Sequence, residues 1–271
     1  MSFIQEKLIN LTIGVSKEYR LIQFSDVHAV TCRCFESAEA IEKAIKHENL
    51  WMKQRLDFAE RFNENYDSRF LLSSLDCLDR LINYCNKKRP DLVLLTGDII
   101  DYYSEANLDL LHRSVMKLTS PYLFSRGNHE SPSDKFKEMC HGKGDFNYFD
   151  FGEFLVVSID NAERTISQLQ VDALRKMLAL KKPMIFMMHV PIVNEYNEEE
   201  FKKLDAYYSI RASGCDETTK EFINLLCSSS EVRAIFCGHT HGAIYSLVAP
   251  GKPQYCCSSG LIGNVNMIIV R

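Results

Sequence analysis

The sequence predicts an α/β protein with mostly buried sheets. Two observations carry this. Short apolar runs rich in Val, Ile, Leu and Phe recur along the chain, the composition of strands covered on both faces. Between them lie longer stretches whose apolar residues return every three or four positions, the mark of helices with one buried face. Strands alternating with helices belong to layered α/β architectures.

The elements follow in order. The first strands fall at Leu8–Val15 and Tyr19–Phe24. Ala38, Ile41, Ile45, Met52, Leu56, Ala59 and Phe62 then recur at helical spacing, which predicts a long helix over Glu36–Asn65. A second helix, Arg69–Asn86, presents Leu71, Leu75, Leu78 and Ile82 on one face. It stops before Pro90, because the residue ahead of a proline avoids the helical region. A strand at Asp91–Thr96 and a helix at Glu105–Leu118 come next, then strands at Tyr122–Ser125 and Phe154–Ile159. A helix at Ser167–Leu180, a strand at Met184–Met188 and a helix at Thr218–Ser228 follow. Strands at Ala234–Cys237, Ala243–Val248 and Val265–Val270 close the chain. No repeat or Pro/Gly/Ser linker interrupts it, so one domain is expected over residues 1–271.

Composition narrows the function. With 46% hydrophobic and 25% charged residues, neither a disordered chain nor a fibre is expected. The balance of 32 Lys+Arg against 36 Asp+Glu leaves a net charge of −4, so stable nucleic-acid binding is not expected. No run of about 18 apolar residues marks a membrane span. The N-terminus intersperses Glu6, Lys7, Asn10, Lys17 and Glu18 among apolar residues, unlike a secretory leader. A cytoplasmic location is expected, with most of the ten cysteines as reduced thiols. Cys32-Arg-Cys34 and Cys256-Cys257 lack zinc-site spacing.

The chemistry concentrates where predicted strands end. Asp26 and His28 follow the second strand, and Gly97-Asp98 and Asp101 follow Leu95. Arg126-Gly127-Asn128-His129-Glu130 follows Phe124, His189 follows Met188, and Gly238-His239-Thr240-His241 follows Cys237. Open α/β sheets bind ligands outside the carboxyl ends of their strands. A mixed imidazole and carboxylate set suits Mn, Fe or Zn, and one carboxylate can bridge two ions. Each block alone has a bland reading as a turn or a core histidine. Five together, in order, describe a convergent site.

These blocks resemble the signature of the calcineurin-like metallophosphoesterases, in family order from Asp26 to His241. The resemblance implies a four-layer αββα sandwich, two mixed sheets flanked by helices, with a dinuclear metal site at the strand C-terminal ends. It implies that Asp26, His28 and His241 hold one divalent ion. Asn128, His189 and His239 would hold the second, with Asp98 bridging. His129 would meet the leaving oxygen and Asp101 would orient it, although a turn-capping role for Asp101 stays open. The implied activity is hydrolysis of a phosphodiester, nucleotide or phosphomonoester by a metal-bridging hydroxide, on a small phosphorylated substrate.

Departures from the family pattern sharpen this. Purple acid phosphatases place a tyrosine ligand three residues after the bridging Asp, where this chain has Asp101. Protein Ser/Thr phosphatases carry Asp-Arg-Gly at the second block, where this chain has Asp101-Tyr102-Tyr103. That activity is the alternative reading, and a non-catalytic scaffold is a more distant one. Arg126 either grips substrate phosphate or is structural. Asp26 and Asp98 lie 72 residues apart, so a helical insertion at about 31–67 is expected near the site. It either forms a rim with Trp51 and Phe58 exposed, packs on a sheet flank or makes a dimer contact. The segment Asn194–Tyr208, rich in Glu and Tyr, is expected to be a loop and short helix beside the site.

Overall fold

Alternate residues of the central strands face two different cores, and this builds the layers. A computed structural model of the protein describes residues 2–33, 36–64, 66–67, 70–130 and 145–271. Cys34, Asn65, Arg69 and His141 lie outside the described residues. The first sheet contains β1 (Gln5–Leu11), β2 (Tyr19–Phe24), β3 (Leu92–Leu95), β4 (Tyr122–Phe124) and β13 (Asn264–Val270). Their order is β1-β13-β2-β3-β4, with β2, β3 and β4 parallel and β13 antiparallel to β2. The second contains β5 (Phe146–Asp150), β6 (Leu155–Ile159), β7 (Met184–Met187), β10 (Val232–Cys237), β11 (Ile244–Ala249) and β12 (Lys252–Cys256). Its order is β11-β12-β10-β7-β6-β5, parallel in the middle and antiparallel at both edges. A small parallel pair joins β8 (Ile192–Val193) to β9 (Ile210–Arg211).

In β3, Leu92 and Leu94 enter the core between the sheets, while Val93 and Leu95 face outward. In β7, Ile185 and Met187 meet them from the other side. The outer face of the first sheet is covered by α2 (Ser74–Lys88) and α3 (Glu105–Val115) through residues such as Leu78, Leu81 and Leu111. The outer face of the second is covered by α4 (Gln168–Leu178) and α6 (Glu217–Ser228) through Leu174, Phe222 and Leu226. The four layers are therefore present as expected. No helix among the described residues is long and apolar enough to cross a membrane.

Several boundaries move, each for a physical reason. The second helix starts at Ser74, because the Ser73 side chain accepts from the Asp76 backbone N–H and caps it there. β12 contains Pro253, which argues against a central strand. It is accommodated because pairing with β10 begins only at Gln254. β5, with Asn147 and Asp150, is an edge strand with one wet face, so its sequence lacks an apolar run.

The long helix α1 (Ala38–Arg61) forms, but its buried face differs from the expected one. Ile45 and Leu56 of the apolar stripe are 58% and 53% exposed. The buried positions are Ala44, Trp51, Arg55 and Phe58. Of the alternatives for this insertion, a rim would leave Trp51 and Phe58 exposed, and they are 5% and 7% exposed. They pack on the histidines at the ends of β2 and β10, and that contact sets the helix rotation.

The ring of Phe236 is fully buried between the sheets, stacked on Tyr255 at 5.2 Å. Replacing it with Ala is expected to cost about 3–5 kcal/mol in urea unfolding, because the close-packed sheets cannot collapse into the space.

Candidate metal centre

The parallel strands β2, β3 and β4 of one sheet and β7 and β10 of the other end at the same edge of the sandwich. Each is followed by one of the polar blocks. The loops are tied to one another by their backbones. Asp26 N–H donates to the Gly97 carbonyl at 3.0 Å, His28 N–H to that of Asp98 at 3.0 Å, and Gly238 N–H to that of His189 at 2.9 Å.

Local conformation aims the donors. Asp26, His28, Asp98, His239 and His241 all have positive φ, between 49° and 67°. This left-handed region costs a residue with a Cβ about 1–2 kcal/mol. Such strain persists only where the surroundings enforce it, and it clusters at functional sites. Close approach also needs glycine. At Gly97, φ is +88° and a Cβ would stand 2.5 Å from His189 Nδ1. At Gly238 a Cβ would stand 1.9 Å from Ser25 Oγ.

The side chains converge. Ligand atoms of Asp26, His28, Asp98 and His241 lie within 4.8 Å of one another, as do those of Asp98, His189 and His239. Asp98 is common to both groups. His28 Nε2 faces His241 Nε2 at 3.1 Å, and the latter lies 3.4 Å from Asp26 Oδ1. His189 Nε2 lies 3.1 Å from Asp98 Oδ2, from Asn128 Oδ1 and from His239 Nδ1. All seven residues expected as metal ligands are thus brought together. Two imidazole nitrogens and a carboxylate oxygen pointing at one place in a buried cluster fit a divalent cation, which would neutralise the carboxylates there.

Second partners hold the rings. His189 Nδ1 donates to the Thr96 carbonyl at 2.7 Å, and His239 Nε2 to that of Tyr207 at 3.0 Å. Such outer hydrogen bonds fix ring orientation and leave the other nitrogen free. His129 Nδ1 lies 3.1 Å from Asp101 Oδ1, so the expected pairing of these two residues is present in the geometry. His129 Nε2 has no partner among the described residues.

Charge follows position. Burial and the neighbouring His129 push His28 down to about 4, and burial and His189 push His239 down to about 3. Both are therefore neutral, the form that ligates metals. Burial raises the Asp98 carboxyl, but His189, His129 and His28 outweigh it and hold it well below the usual carboxylate range. Burial likewise opposes charging of His189 and His129. Asp98 prevails for the first, lifting it to about 9, and Asp101 with Asp98 lift the second to about 10. A divalent cation held there would compete for the place of the His189 proton beside Asp98.

Arg126 is not part of this cluster. Its guanidinium donates to Asp160 Oδ2 at 2.7 Å, to Glu163 Oε1 at 3.2 Å and to the Glu130 carbonyl. The expectation that it grips phosphate is corrected accordingly: two carboxylates already occupy its fork.

Three contributions were not foreseen. Glu130, in the third block, is buried and accepts from the backbone N–H groups of Asp98, Ile99, Ile100 and Gly127. The only sequence signal was an acidic residue directly after Asn128-His129, which by itself assigns no role. Tyr207, from the acidic segment, takes a hydrogen bond from Asn128 Nδ2 at 3.1 Å. His47 on α1 meets Asp101 Oδ2 at 2.5 Å.

The family model described as "Calcineurin-like phosphoesterase" matches residues 19–243. A protein from Synechococcus sp. named as a probable cyclic nucleotide phosphodiesterase is 25% identical over 166 residues, which is 58% of this chain. The match spans 60% of that relative's length. A dimetal phosphatase from Danio rerio superposes with a TM-score of 0.59 at 14% identity, over 90% of this chain and 88% of its own, a likeness of fold.

Glu130→Ala would leave four backbone donors without their acceptor. The expected loss is about 3 kcal/mol or more in thermal or denaturant unfolding, with loss of bound metal. Metal content by elemental analysis reads the second effect.

Proposed function

Since the chain belongs to the calcineurin-like phosphoesterase family, we propose that it hydrolyses a small phosphoester with the aid of two divalent transition metals. The observation that carries this reading is the sharing of Asp98 by two clusters of buried donors. Asp26, His28 and His241 would hold one ion and Asn128, His189 and His239 the other, with Asp98 between them. Imidazole nitrogens together with carboxylate and amide oxygens suit Mn, Fe or Zn. Bound there, two such ions supply Lewis acidity toward the phosphoryl oxygens and lower the pKa of water.

The chain's own residues do the rest. The part-exposed His129 keeps a proton, because Asp101 accepts from its Nδ1 and favours the charged ring. Its Nε2 is the group that delivers a proton to the leaving oxygen. Asp101 fixes the tautomer. With Arg126 held by Asp160 and Glu163, neutralising the phosphate falls to the metal centre and His129. α1 packs over the His28 and His241 side, whereas Tyr207 at the Asn128 side is 46% exposed, so substrate enters from the Tyr207 side. A phosphodiester or monoester of a nucleotide-sized alcohol is the substrate class, and the Synechococcus relative makes cyclic nucleotides the first to test. The reading covers the whole of residues 1–271 as one domain, with residues 31–67 as its insertion.

The test is metal-depleted protein reloaded with Mn²⁺, Fe²⁺ or Zn²⁺ and assayed on bis-p-nitrophenyl phosphate, p-nitrophenyl phosphate and cyclic nucleotides. Activity with at least one ion is expected. Asp98→Asn and His239→Ala should each lose about 100-fold or more. Wild-type rates from either variant, metal-replete, would sink the proposal, and a marked preference for phosphopeptides would favour the protein phosphatase alternative. His129→Ala should retain its metals but lose about 10²–10⁴-fold on substrates with alkyl leaving groups. The loss should be smaller on p-nitrophenyl esters, whose leaving group needs no proton.

A further inference from the structure

The four histidines placed around the two clusters are held in two different ways. His189 and His239 each donate an outer hydrogen bond to a backbone carbonyl, that of Thr96 or Tyr207. His28 does not. Its Nδ1 is buried without a hydrogen bond, and the nearest acceptor, Asp101 Oδ1, stands at 3.5 Å. His241 also lacks one at Nδ1 among the described residues. In place of these bonds, both rings are packed by aromatic side chains of α1. Trp51 lies face to face on His28, with centroids 3.7 Å apart and planes 13° apart. Phe58 lies against His241 at 4.4 Å.

The helix is seated on the same loops at further points. A Cβ on Gly242 would stand 2.0 Å from Phe62 Cγ, so this ring covers the backbone directly after His241. Glu64 Oε1 accepts from Ala243 N–H at 3.0 Å. On the helix surface, residues four apart lie over one another, which puts His47 beside Asp101 and Trp51 over His28 from adjacent turns.

We propose that Trp51 is a positioning residue of the metal centre. It fixes the plane of His28 by stacking, the role that a carbonyl acceptor plays for His189 and His239, and so ties one of the two metal sites to α1. The physical reason is geometric. A ligating imidazole must present its lone pair along one direction, and its ring plane must be restrained from outside. A stacked indole supplies this restraint without an acceptor. The inference rests on the two-metal reading of the site.

The indole is the only tryptophan in the chain, so it also reports on its own neighbour. Titration of metal-depleted protein with Mn²⁺ by calorimetry should resolve two sites in the wild type. In Trp51→Ala, one site should weaken by about 10–100-fold, the range for losing an outer-shell partner of a ligand, and the other should stay within a few-fold. Trp51→Phe, which keeps a flat ring, should recover most of the loss. Leu56→Ala, on the exposed face of α1, should match the wild type. A folded Trp51→Ala protein with both sites at wild-type affinity overturns the proposal. Should that variant fail to fold, the wild type decides by emission. Quenching of Trp51 as the paramagnetic ion binds supports the proposal, and unchanged emission through both equivalents overturns it. A wild type that binds no Mn²⁺, Fe²⁺ or Zn²⁺ refutes the two-metal reading itself, which separates the two failures.

Discussion

Four carboxylates, those of Asp26, Asp98, Asp101 and Glu130, are buried at one edge of the sandwich, and the structure around them answers that one constraint. A buried charge must be paired, hydrogen-bonded or bound to a metal. Glu130 is satisfied by backbone donors alone. Its environment still opposes charge: burial and the Asp98 carboxylate push it up to about 7. Asp26 and Asp98 face imidazoles, and no Lys or Arg ion pair reaches either among the described residues. Divalent cations from outside the chain would complete such a set, and they would offset a cluster that is costly without them.

The same constraint explains the backbone. Five donors in the left-handed region carry a local cost that no isolated loop would accept. It is carried here because the loops spring from strands whose positions are fixed by two packed sheets. Strand ends held by a shared core cannot drift, so the strain is borne by the whole sandwich. The glycines at 97 and 238 belong to this arrangement, since they admit one loop to within contact of the next.

Charge on the scale of the chain gives a different picture from charge at the site. A net −4 disfavours a broad polyanion surface. Two divalent ions beside Asp26 and Asp98 would reverse the sign locally, which is what a phosphate requires. The charged His129 lies at the same place. The acidic helix α5 (Glu198–Phe201) leaves this focus intact, because its glutamates are exposed while the nearby Tyr207 turns toward Asn128.

What the sequence determined by itself was whatever short stretches of chain encode. The central strands were legible as apolar runs, whereas β5 and β12 were not. The seven donor residues were legible because each follows a strand end within a few positions, and a strand end fixes where the next residues can point. What depended on residues far apart was not legible. The two readings of Arg126 stayed open because its partners Asp160 and Glu163 come 34 and 37 residues later. Glu130 carried no visible role, because three of the four donors it collects, Asp98, Ile99 and Ile100, belong to a different strand end. On α1, two stripes of helical period competed, and apolar composition favoured the wrong one. The winning face, with Trp51 and Phe58, is set by histidines that the chain reaches 23 residues earlier and 183 residues later. Periodicity fixes that a helix has a face, and only the packed tertiary structure decides what that face is pressed against.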